Sequence, residues 1–410
     1  MTAAAGGGRT LAIVGASLAG AKAAEAARDA GFDGRIVLIG DEPALPYERP
    51  PLSKGILRGD KDPDAARVHP DGFYVDNGIE LVNDRAVALD PTGRTIALAS
   101  GEAVAFGTAV VATGAAPRPL DVPGAALDGV YYLRTIDDAV RLRDAIRAAT
   151  RVAVVGAGWI GCEVAASARQ MGADVVLVDP APVPLQRVLG DEMGAMFRQL
   201  HADHGVQLRL GTGIAELRGA KTVEDVVLGD GRVELADVVV VGVGVVPRTE
   251  LAGTAPGMRV DNGIVVDEHL ETDVAGIYAA GDVANAWHPH YRCRLRVEHW
   301  ANALNQGSMA GRNAAGRRDA YDRLPYFFSD QYDLGMEYVG YGDANDAVVV
   351  RGDRDARELI AFWHRDGKVT AAMNVNVWDV VDDLKAIVAS ARRVDPARLA
   401  DAGVPLGDLA

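Results

Sequence analysis

The chain repeats one local pattern, and this repeat constrains the fold more than any other feature. A short apolar run turns on Gly15 and continues into an alanine-rich stretch, and the same order recurs at Gly156. Each stretch is followed by a second apolar run, at 35–39 and at 174–178. Strand, glycine turn, helix and strand in that order predict two modules of parallel sheet covered by helices.

The second copy has the glycine spacing of a dinucleotide-binding turn. Gly156 permits the tight turn, Gly158 lets the backbone approach a pyrophosphate, and Gly161 lets the helix pack closely on the strand. The free amides at the start of the helix would then meet the phosphates. A bound dinucleotide is therefore expected at this turn.

The first copy departs from this pattern at one position. Gly15 and Gly20 keep their places, but Ser17 replaces the middle glycine, and its small hydroxyl can itself reach a phosphate. An acid follows each copy at the distance expected for ribose recognition, Asp41 in the first and Asp179 in the second. Because a carboxylate repels a 2′-phosphate, Asp179 predicts a preference for NADH over NADPH.

Length and charge exclude several classes of protein. With 410 residues the chain is too long for one core, which indicates two or three domains. A net charge of −15 argues against a nucleic-acid partner. No apolar run is long enough to span a bilayer, and residues 1–9 lack the regions of a secretory signal. We therefore expect a cytoplasmic protein without a membrane partner.

The cysteines indicate neither a disulfide framework nor a redox-active dithiol, and no metal site is expected. The chain has only Cys162 and Cys293, far apart in sequence and in no closely spaced pair.

Further motifs lead to a family resemblance. Ala-Thr-Gly at 112–114, Gly-Val-Gly at 242–244 and Ala-Gly-Asp at 280–282 each follow a predicted strand, and a helix is expected at 283–287. Asp282 either caps that helix or accepts a hydrogen bond from the ribityl chain of FAD. With the two glycine turns, these segments resemble the flavoproteins that have two dinucleotide-binding domains.

Three longer motifs narrow the resemblance. Residues 46–54 (PYERPPLSK), 131–135 (YYLRT) and 326–332 (YFFSDQY) are similar to the class I, FAD-dependent NADH:ferredoxin reductases of oxygenase systems. The resemblance implies an α/β fold of glutathione-reductase-like architecture, with two Rossmann-like dinucleotide-binding domains and a C-terminal α+β domain. We expect a discontinuous FAD-binding domain at 1–115 and 248–324, an NAD-binding domain at 116–247 and the C-terminal domain at 325–410.

The resemblance also implies cofactors, a partner and site residues. FAD would take a hydride from NADH and pass electrons singly to a [2Fe–2S] ferredoxin, in a monomer or homodimer. Lys54 and Glu163 would form a catalytic ion pair near the flavin. The residues expected to bind the cofactors are Gly15, Ser17, Ala19, Gly20, Asp41, Arg49, Lys54, Val87, Ala112, Thr113, Gly114, Arg134, Gly156, Gly158, Trp159, Ile160, Gly161, Asp179, Gly242, Gly244, Gly281, Asp282, Glu298 and Trp300.

Two other functions fit the same scaffold. A reductase of oxygen, peroxide or a quinone is one, although a peroxidase or oxidase of this fold would carry a cysteine in its first domain, and none precedes residue 116. The other is a flavin-bound interaction protein like the apoptosis-inducing flavoproteins, which would show basic surfaces and targeting segments. A net charge of −15 disfavours that second alternative.

A docking surface for ferredoxin is the least constrained expectation. Arg292, Arg294 and Arg296 alternate, so their side chains would share one face of an extended segment. Phe328 would add an apolar contact near the flavin. The alternative is that these arginines pair with nearby acids such as Glu298 and that Phe328 is core.

Overall fold

A computed structural model describes residues 9–410. Residues 1–8 lie outside the described residues. They hold most of the stretch that is expected to lack a secretory signal. Residues 9–410 divide into two compact units. The first comprises residues 9–48, Asp64–Ala116 and Val246–Pro325, and the second comprises Arg49–Pro63, Pro117–Val245 and Tyr326–Ala410.

The first unit is built on a parallel sheet, as the first glycine copy predicts. Its apolar strands are buried on both faces, which suits a sheet covered by helices. The strands run in the order Ile277–Ala279, Thr108–Val111, Thr10–Val14, Arg35–Gly40 and Ile79–Asn83. Two smaller sheets complete this unit. In one, Thr95–Leu98 pairs antiparallel with both Ala86–Asp90 and Ala103–Ala105. In the other, Ala284–His288 pairs antiparallel with Cys293–Leu295 and parallel with Ile264–Val266.

Small residues let two helices of the first unit pack closely. Leu18–Asp29, which follows the glycine turn, crosses Trp300–Ala314. A Cβ on Gly307 would lie 2.3 Å from the Ala19 carbonyl oxygen, and one on Gly311 would lie 2.1 Å from that of Ala23. The remaining short helices of this unit are Phe73–Asp76 and Glu250–Gly253.

The second unit contains the second glycine copy. Its parallel sheet has the order Gln207–Leu210, Asp174–Asp179, Arg151–Val155, Val238–Val241 and Val130–Tyr132, with an antiparallel layer of Ile214–Arg218, Asp225–Leu228 and Val233–Leu235. The helices around it are Gly55–Arg58, Ile136–Ala148, Trp159–Gln170 and Gln186–Asp203. The strands Ala115–Pro117 and Val245–Pro247 lie where the chain passes between the units.

The C-terminal residues form an antiparallel sheet within this same unit. Its order is Tyr326–Gln331, Leu334–Gly340, Lys368–Val375, Glu358–Arg365 and Ala347–Asp353, followed by the helices Val381–Ser390 and Pro396–Ala400. The sheet shares one hydrophobic core with the nucleotide-binding module. Trp159, the first residue of its helix, packs edge-on against Phe197 and Phe327 at ring-centroid distances of 5.8 and 4.9 Å.

The structure corrects one predicted element and refines others. The helix expected at 283–287 is wrong, because a short turn at Gly281–Val283 leads into the strand Ala284–His288. The helices after the two glycine turns begin at Leu18 and Trp159, three residues before the expected alanine-rich stretches at 21–30 and 162–171. The division into three domains stays a prediction, and residues 49–63 cluster with the second unit.

The described residues contain neither a helix suited to span a membrane nor a cluster suited to hold a metal ion. Within 9–410, no helix has both the length and the apolar character needed to cross a membrane. Nor do the His, Cys, Asp and Glu side chains of this part of the chain gather in threes that could hold a metal ion.

Candidate active site

The first glycine turn is too tight for side chains at two positions. Gly15 has a φ of +114°, and a Cβ there would lie 2.1 Å from the Ala112 carbonyl oxygen. A Cβ on Gly20 would lie 1.9 Å from the carbonyl oxygen of Gly15 itself. Ser17 occupies the N-cap of the following helix, yet its hydroxyl makes no capping hydrogen bond within the described chain. The amides of the first helical turn are therefore open to a ligand.

Three predicted FAD residues meet at this helix. Ala19 lies in its first turn, and a Cβ on Gly281 would be 3.2 Å from the Cβ of Ala19. The Gly281 amide donates to Gln306 Oε1 at 2.9 Å, which holds the turn carrying Asp282 against the helix Trp300–Ala314. Ala19, Gly281 and Asp282 are thus brought together, and Trp300 begins the helix that supports them.

Other predicted residues of the first unit lie on its strand ends and edges. Ala112, Thr113 and Gly114 follow the strand Thr108–Val111, and the Thr113 hydroxyl donates to the Arg248 carbonyl at 2.7 Å. Asp41 follows the strand Arg35–Gly40, is exposed, and lies 3.9 Å from the Arg248 guanidinium. Val87 lies exposed in the strand Ala86–Asp90.

The second glycine turn repeats this geometry. Gly156 has a φ of +101°, and a Cβ on Gly161 would lie 1.8 Å from the Gly156 carbonyl oxygen. Gly158 is the N-cap of the helix Trp159–Gln170, and no described atom lies within 4 Å of where its Cβ would stand. Next to it, Ile160 is exposed. This open space above free amides suits a pyrophosphate.

Asp179 is tied directly to this turn. One carboxylate oxygen accepts from the Ala157 amide at 2.6 Å and the other from the Ala181 amide at 2.8 Å. A carboxylate oxygen has more than one acceptor site, so both can still accept from ribose hydroxyls. Gly242 and Gly244 leave the neighbouring strand Val238–Val241, and the Gly242 amide donates to Val155.

Lys54 and Glu163 form a buried ion pair in the second unit. The Lys54 ammonium lies 2.7 Å from Glu163 Oε2, with side-chain exposures of 14% and 5%. Ser53 donates to the same oxygen at 2.5 Å, and Ser329 donates to Oε1 at 2.7 Å. The Lys54 ammonium also lies 5.9 Å from the centre of the Phe328 ring, so Phe328 borders the pair. The carboxylate is thus surrounded by donors, which a buried charge requires.

Two predicted arginines, one from each of the motifs at 46–54 and 131–135, contact each other. The Arg49 guanidinium donates to the carbonyl oxygen of Arg134. The amide of Arg134 donates to Asp138, which with Thr135 caps the helix Ile136–Ala148. The motifs at 46–54 and 131–135 are therefore joined in the fold.

The geometry fits a dinucleotide at each glycine turn. Each turn combines glycines whose Cβ would strike the backbone, an uncapped helix start, and a carboxylate after the next strand. The individual roles of the named residues stay predictions. Sequence reasoning missed two residues, Ser53 and Ser329, whose only signal is that they stand inside the two motifs quoted for the family resemblance.

The arginines proposed for docking have other partners. Arg294 donates to the backbone oxygens of Val266 and Asn285 at 2.7 and 3.2 Å. Arg296 lies 2.5 Å from Glu298. Arg292 has a φ of +53° and lies in the turn before the strand Cys293–Leu295, so the three side chains do not form one extended face. This favours the alternative in which these arginines are structural.

The two thiols are expected to differ in reactivity. Cys162 is fully buried, its thiol lies 3.5 Å from the Ala157 carbonyl, and burial raises its pKa, whereas Cys293 is exposed. Because the thiolate is the reactive form, a disulfide reagent should label about one thiol per folded chain, at Cys293. Peptide mapping after labelling checks this, and modification of Cys162 before unfolding would contradict the described burial.

Comparisons with known proteins identify the family of the chain. Residues 9–307 match the family described as pyridine nucleotide-disulphide oxidoreductase, and residues 326–410 match the family described as reductase C-terminal. The chain is 37% identical to rhodocoxin reductase of Rhodococcus erythropolis over 394 residues, which are 96% of this chain and 92% of the relative.

A second relative and a solved structure give the same picture. The chain is 39% identical over 396 residues to the anthranilate 1,2-dioxygenase system ferredoxin–NAD(+) reductase component of Burkholderia cepacia, covering 96% of this chain and 97% of the relative. The structure of the covalent putidaredoxin reductase–putidaredoxin complex matches with a TM-score of 0.93 and 33% identity, over 98% of this chain and 97% of that chain. The chain belongs to the pyridine nucleotide-disulphide oxidoreductase family, within its group of ferredoxin reductases of oxygenase systems.

Proposed function

We propose that this protein takes a hydride from NADH onto bound FAD and passes the electrons singly to a [2Fe–2S] ferredoxin that serves an oxygenase. The observation that carries the proposal is a dinucleotide-binding turn in each unit of a chain whose two thiols are far apart in sequence, one buried and one exposed. Electrons therefore leave the flavin without passing through a dithiol. The two relatives described above are named as reductases.

The chain's own residues have separable tasks in this reaction. Bound FAD supplies an acceptor for the hydride and a donor of single electrons. The helix starts at Leu18 and Trp159 bind the two pyrophosphates, and Asp179 binds the ribose of NADH. The Lys54–Glu163 pair would provide a fixed, dry charge arrangement for the hydride transfer.

Turnover with different acceptors tests the proposal. The purified protein with FAD should oxidise NADH with ferricyanide, and should reduce a [2Fe–2S] ferredoxin faster than oxygen or a quinone. We expect the best ferredoxin to be encoded in the same genome. Rapid reduction of a quinone with no ferredoxin turnover would favour the alternative reductase, and bound flavin without NADH oxidation would favour an interaction protein.

The cofactor preference is assigned to Asp179. Replacing Asp179 by alanine should raise KM for NADH about tenfold and narrow the discrimination against NADPH, because the phosphate no longer meets a fixed negative charge. Asp179→Asn is the matched control, since it removes the charge but keeps an oxygen that can accept from the Ala157 amide. Steady-state kinetics with both nucleotides measure the effect. Equal kcat/KM for NADH and NADPH in the unaltered protein would refute this role.

We also propose a cytoplasmic location. It is supported by the need for a steady supply of NADH and by the finding that no helix in residues 9–410 is suited to cross a membrane. Fractionation of the source cells tests it, and recovery of the protein in the membrane fraction would contradict it.

A further inference from the structure

A chain of buried polar side chains leads away from Glu163. Ser329 donates to Glu163 Oε1 at 2.7 Å and accepts from Gln331 Nε2 at 3.2 Å. Gln331 Oε1 lies 3.0 Å from His201 Nε2. Ser329, Gln331 and His201 are each at most 1% exposed, so water does not compete for these hydrogen bonds.

The end of this hydrogen-bond chain farthest from Glu163 is an aromatic pair. His201 Nδ1 lies 3.2 Å from the Tyr332 hydroxyl. Tyr332 has a φ of +58°, a conformation that costs a non-glycine residue free energy, and its ring stacks on His204 with the centroids 3.7 Å apart. The stacking fixes the hydroxyl against His201. This hydrogen-bond chain therefore joins two strand residues, Ser329 and Gln331, through His201 of the helix Gln186–Asp203 to the turn residue Tyr332.

The hydrogen bonds in this chain have one direction. Burial lowers the pKa of His201 to about 4, so the ring is neutral near neutral pH and has one donor and one acceptor. Burial also raises the pKa of Tyr332, so its hydroxyl keeps a proton to donate to Nδ1. His201 Nε2 then donates to Gln331, Gln331 to Ser329, and Ser329 to Glu163. Every donor therefore points toward the carboxylate.

We propose that Ser329, Gln331 and His201 are positioning residues for hydride transfer, because they orient Glu163 against Lys54 and, together with the Tyr332 hydroxyl, align four successive dipoles on its carboxylate. This inference rests on the proposed role of the Lys54–Glu163 pair. The hydrogen-bond chain acts by orientation and charge stabilisation rather than by proton transfer. The Gln331 amide cannot pass a proton along without a costly change of tautomer. Glu163 Oε2 is already held by Lys54 and Ser53, so Ser329 is the donor that fixes Oε1.

The test measures the reduction of bound FAD by NADH in a single turnover, with no ferredoxin present. Ser329→Ala should slow reduction about tenfold, because the hydrogen bond to a charged group is lost. His201→Phe keeps a ring of similar size, removes both hydrogen bonds, and should slow reduction about threefold. The midpoint potential of the bound flavin should move to more negative values in both variants, since the nearby negative charge is less well stabilised.

A double-mutant cycle separates positioning from general structural support. If His201 acts through Ser329, then His201→Phe should have no further effect on the rate or the potential in the Ser329→Ala background. Additive effects, or an unchanged rate and potential in either single variant, would overturn the proposal. Where His201→Phe fails to fold, Gln331→Met breaks the same chain at a residue of similar length and is held to the same criteria.

Two further variants make failure of the inference distinguishable from failure of the proposed function. Tyr338→Phe removes another buried hydroxyl, one in the adjacent strand that lies outside this chain, and should leave the rate unchanged. Glu163→Gln is the benchmark for the ion pair. A slow Glu163→Gln with an unaffected Ser329→Ala overturns only the positioning role. An unaffected Glu163→Gln overturns the role of the pair and the inference together.

Discussion

Lys54→Met is expected to destabilise the second unit and to slow NADH-dependent flavin reduction about a hundredfold. The substitution leaves Glu163 charged and 5% exposed, with only the Ser53 and Ser329 hydroxyls as donors. Removing one partner of a buried ion pair commonly costs 3–5 kcal/mol of unfolding free energy. We expect about 3 kcal/mol here, the low end, because the two hydroxyls still stabilise the carboxylate.

A second substitution distinguishes loss of stability from loss of chemistry. Lys54→Met combined with Glu163→Gln removes the buried charge. The glutamine keeps an oxygen that can accept from one serine hydroxyl and an NH₂ group that can donate to the other, so most of the lost stability should return while flavin reduction stays slow. Urea unfolding of the FAD-loaded protein and single-turnover reduction measure the two effects, and flavin occupancy is determined in each sample. Recovery of both stability and rate in the double variant would show that the pair is structural and takes no part in hydride transfer.

The parts of the site that could be predicted from sequence are those where the backbone demands one residue type. Gly15, Gly20, Gly156 and Gly161 stand where a Cβ would strike a main-chain atom or the φ is positive, so glycine itself reports the turn. The acid after the second strand is likewise placed by spacing, and Asp179 does contact the turn. The resemblance to a known family then predicted the Lys54–Glu163 pair, which the spacing of residues along the sequence could not have indicated.

The parts that could not be predicted depend on contacts between distant segments. Ser329 and Glu163 are 166 positions apart, and nothing in either local sequence announces the hydrogen bond. The segment 283–287 was expected to be helical from its local residues, yet Ala284 pairs in parallel with Ile264 and Ala286 opposes Leu295. These pairings override local propensity, which is weak over five residues. The contacts of Arg294 likewise depend on a distant segment, since its guanidinium donates to the backbone oxygen of Val266.

The largest effects on cofactor binding are expected from one methyl group at each glycine turn, and they should differ between the units. In Gly20→Ala the added Cβ would lie 1.9 Å from the Gly15 carbonyl oxygen, so the helix must move away from the turn in the first unit. The purified protein should contain less than about a tenth of its FAD. In Gly161→Ala the Cβ would lie 1.8 Å from the Gly156 carbonyl oxygen in the second unit. That variant should remain yellow but show a KM for NADH raised by about a hundredfold.

Each variant has a matched control in its own unit. Gly253→Ala in the first unit and Gly213→Ala in the second add the same methyl group where nothing beyond the adjoining backbone lies within 4 Å, and both should behave as the unaltered protein does. Absorbance of the bound flavin and steady-state oxidation of NADH by ferricyanide give the two readouts, because ferricyanide needs no ferredoxin. The assignment of one nucleotide to each turn requires the two defects to separate. Loss of FAD from Gly161→Ala with normal FAD in Gly20→Ala would reverse that assignment, since the methyl group that displaces FAD must lie at the turn that binds it.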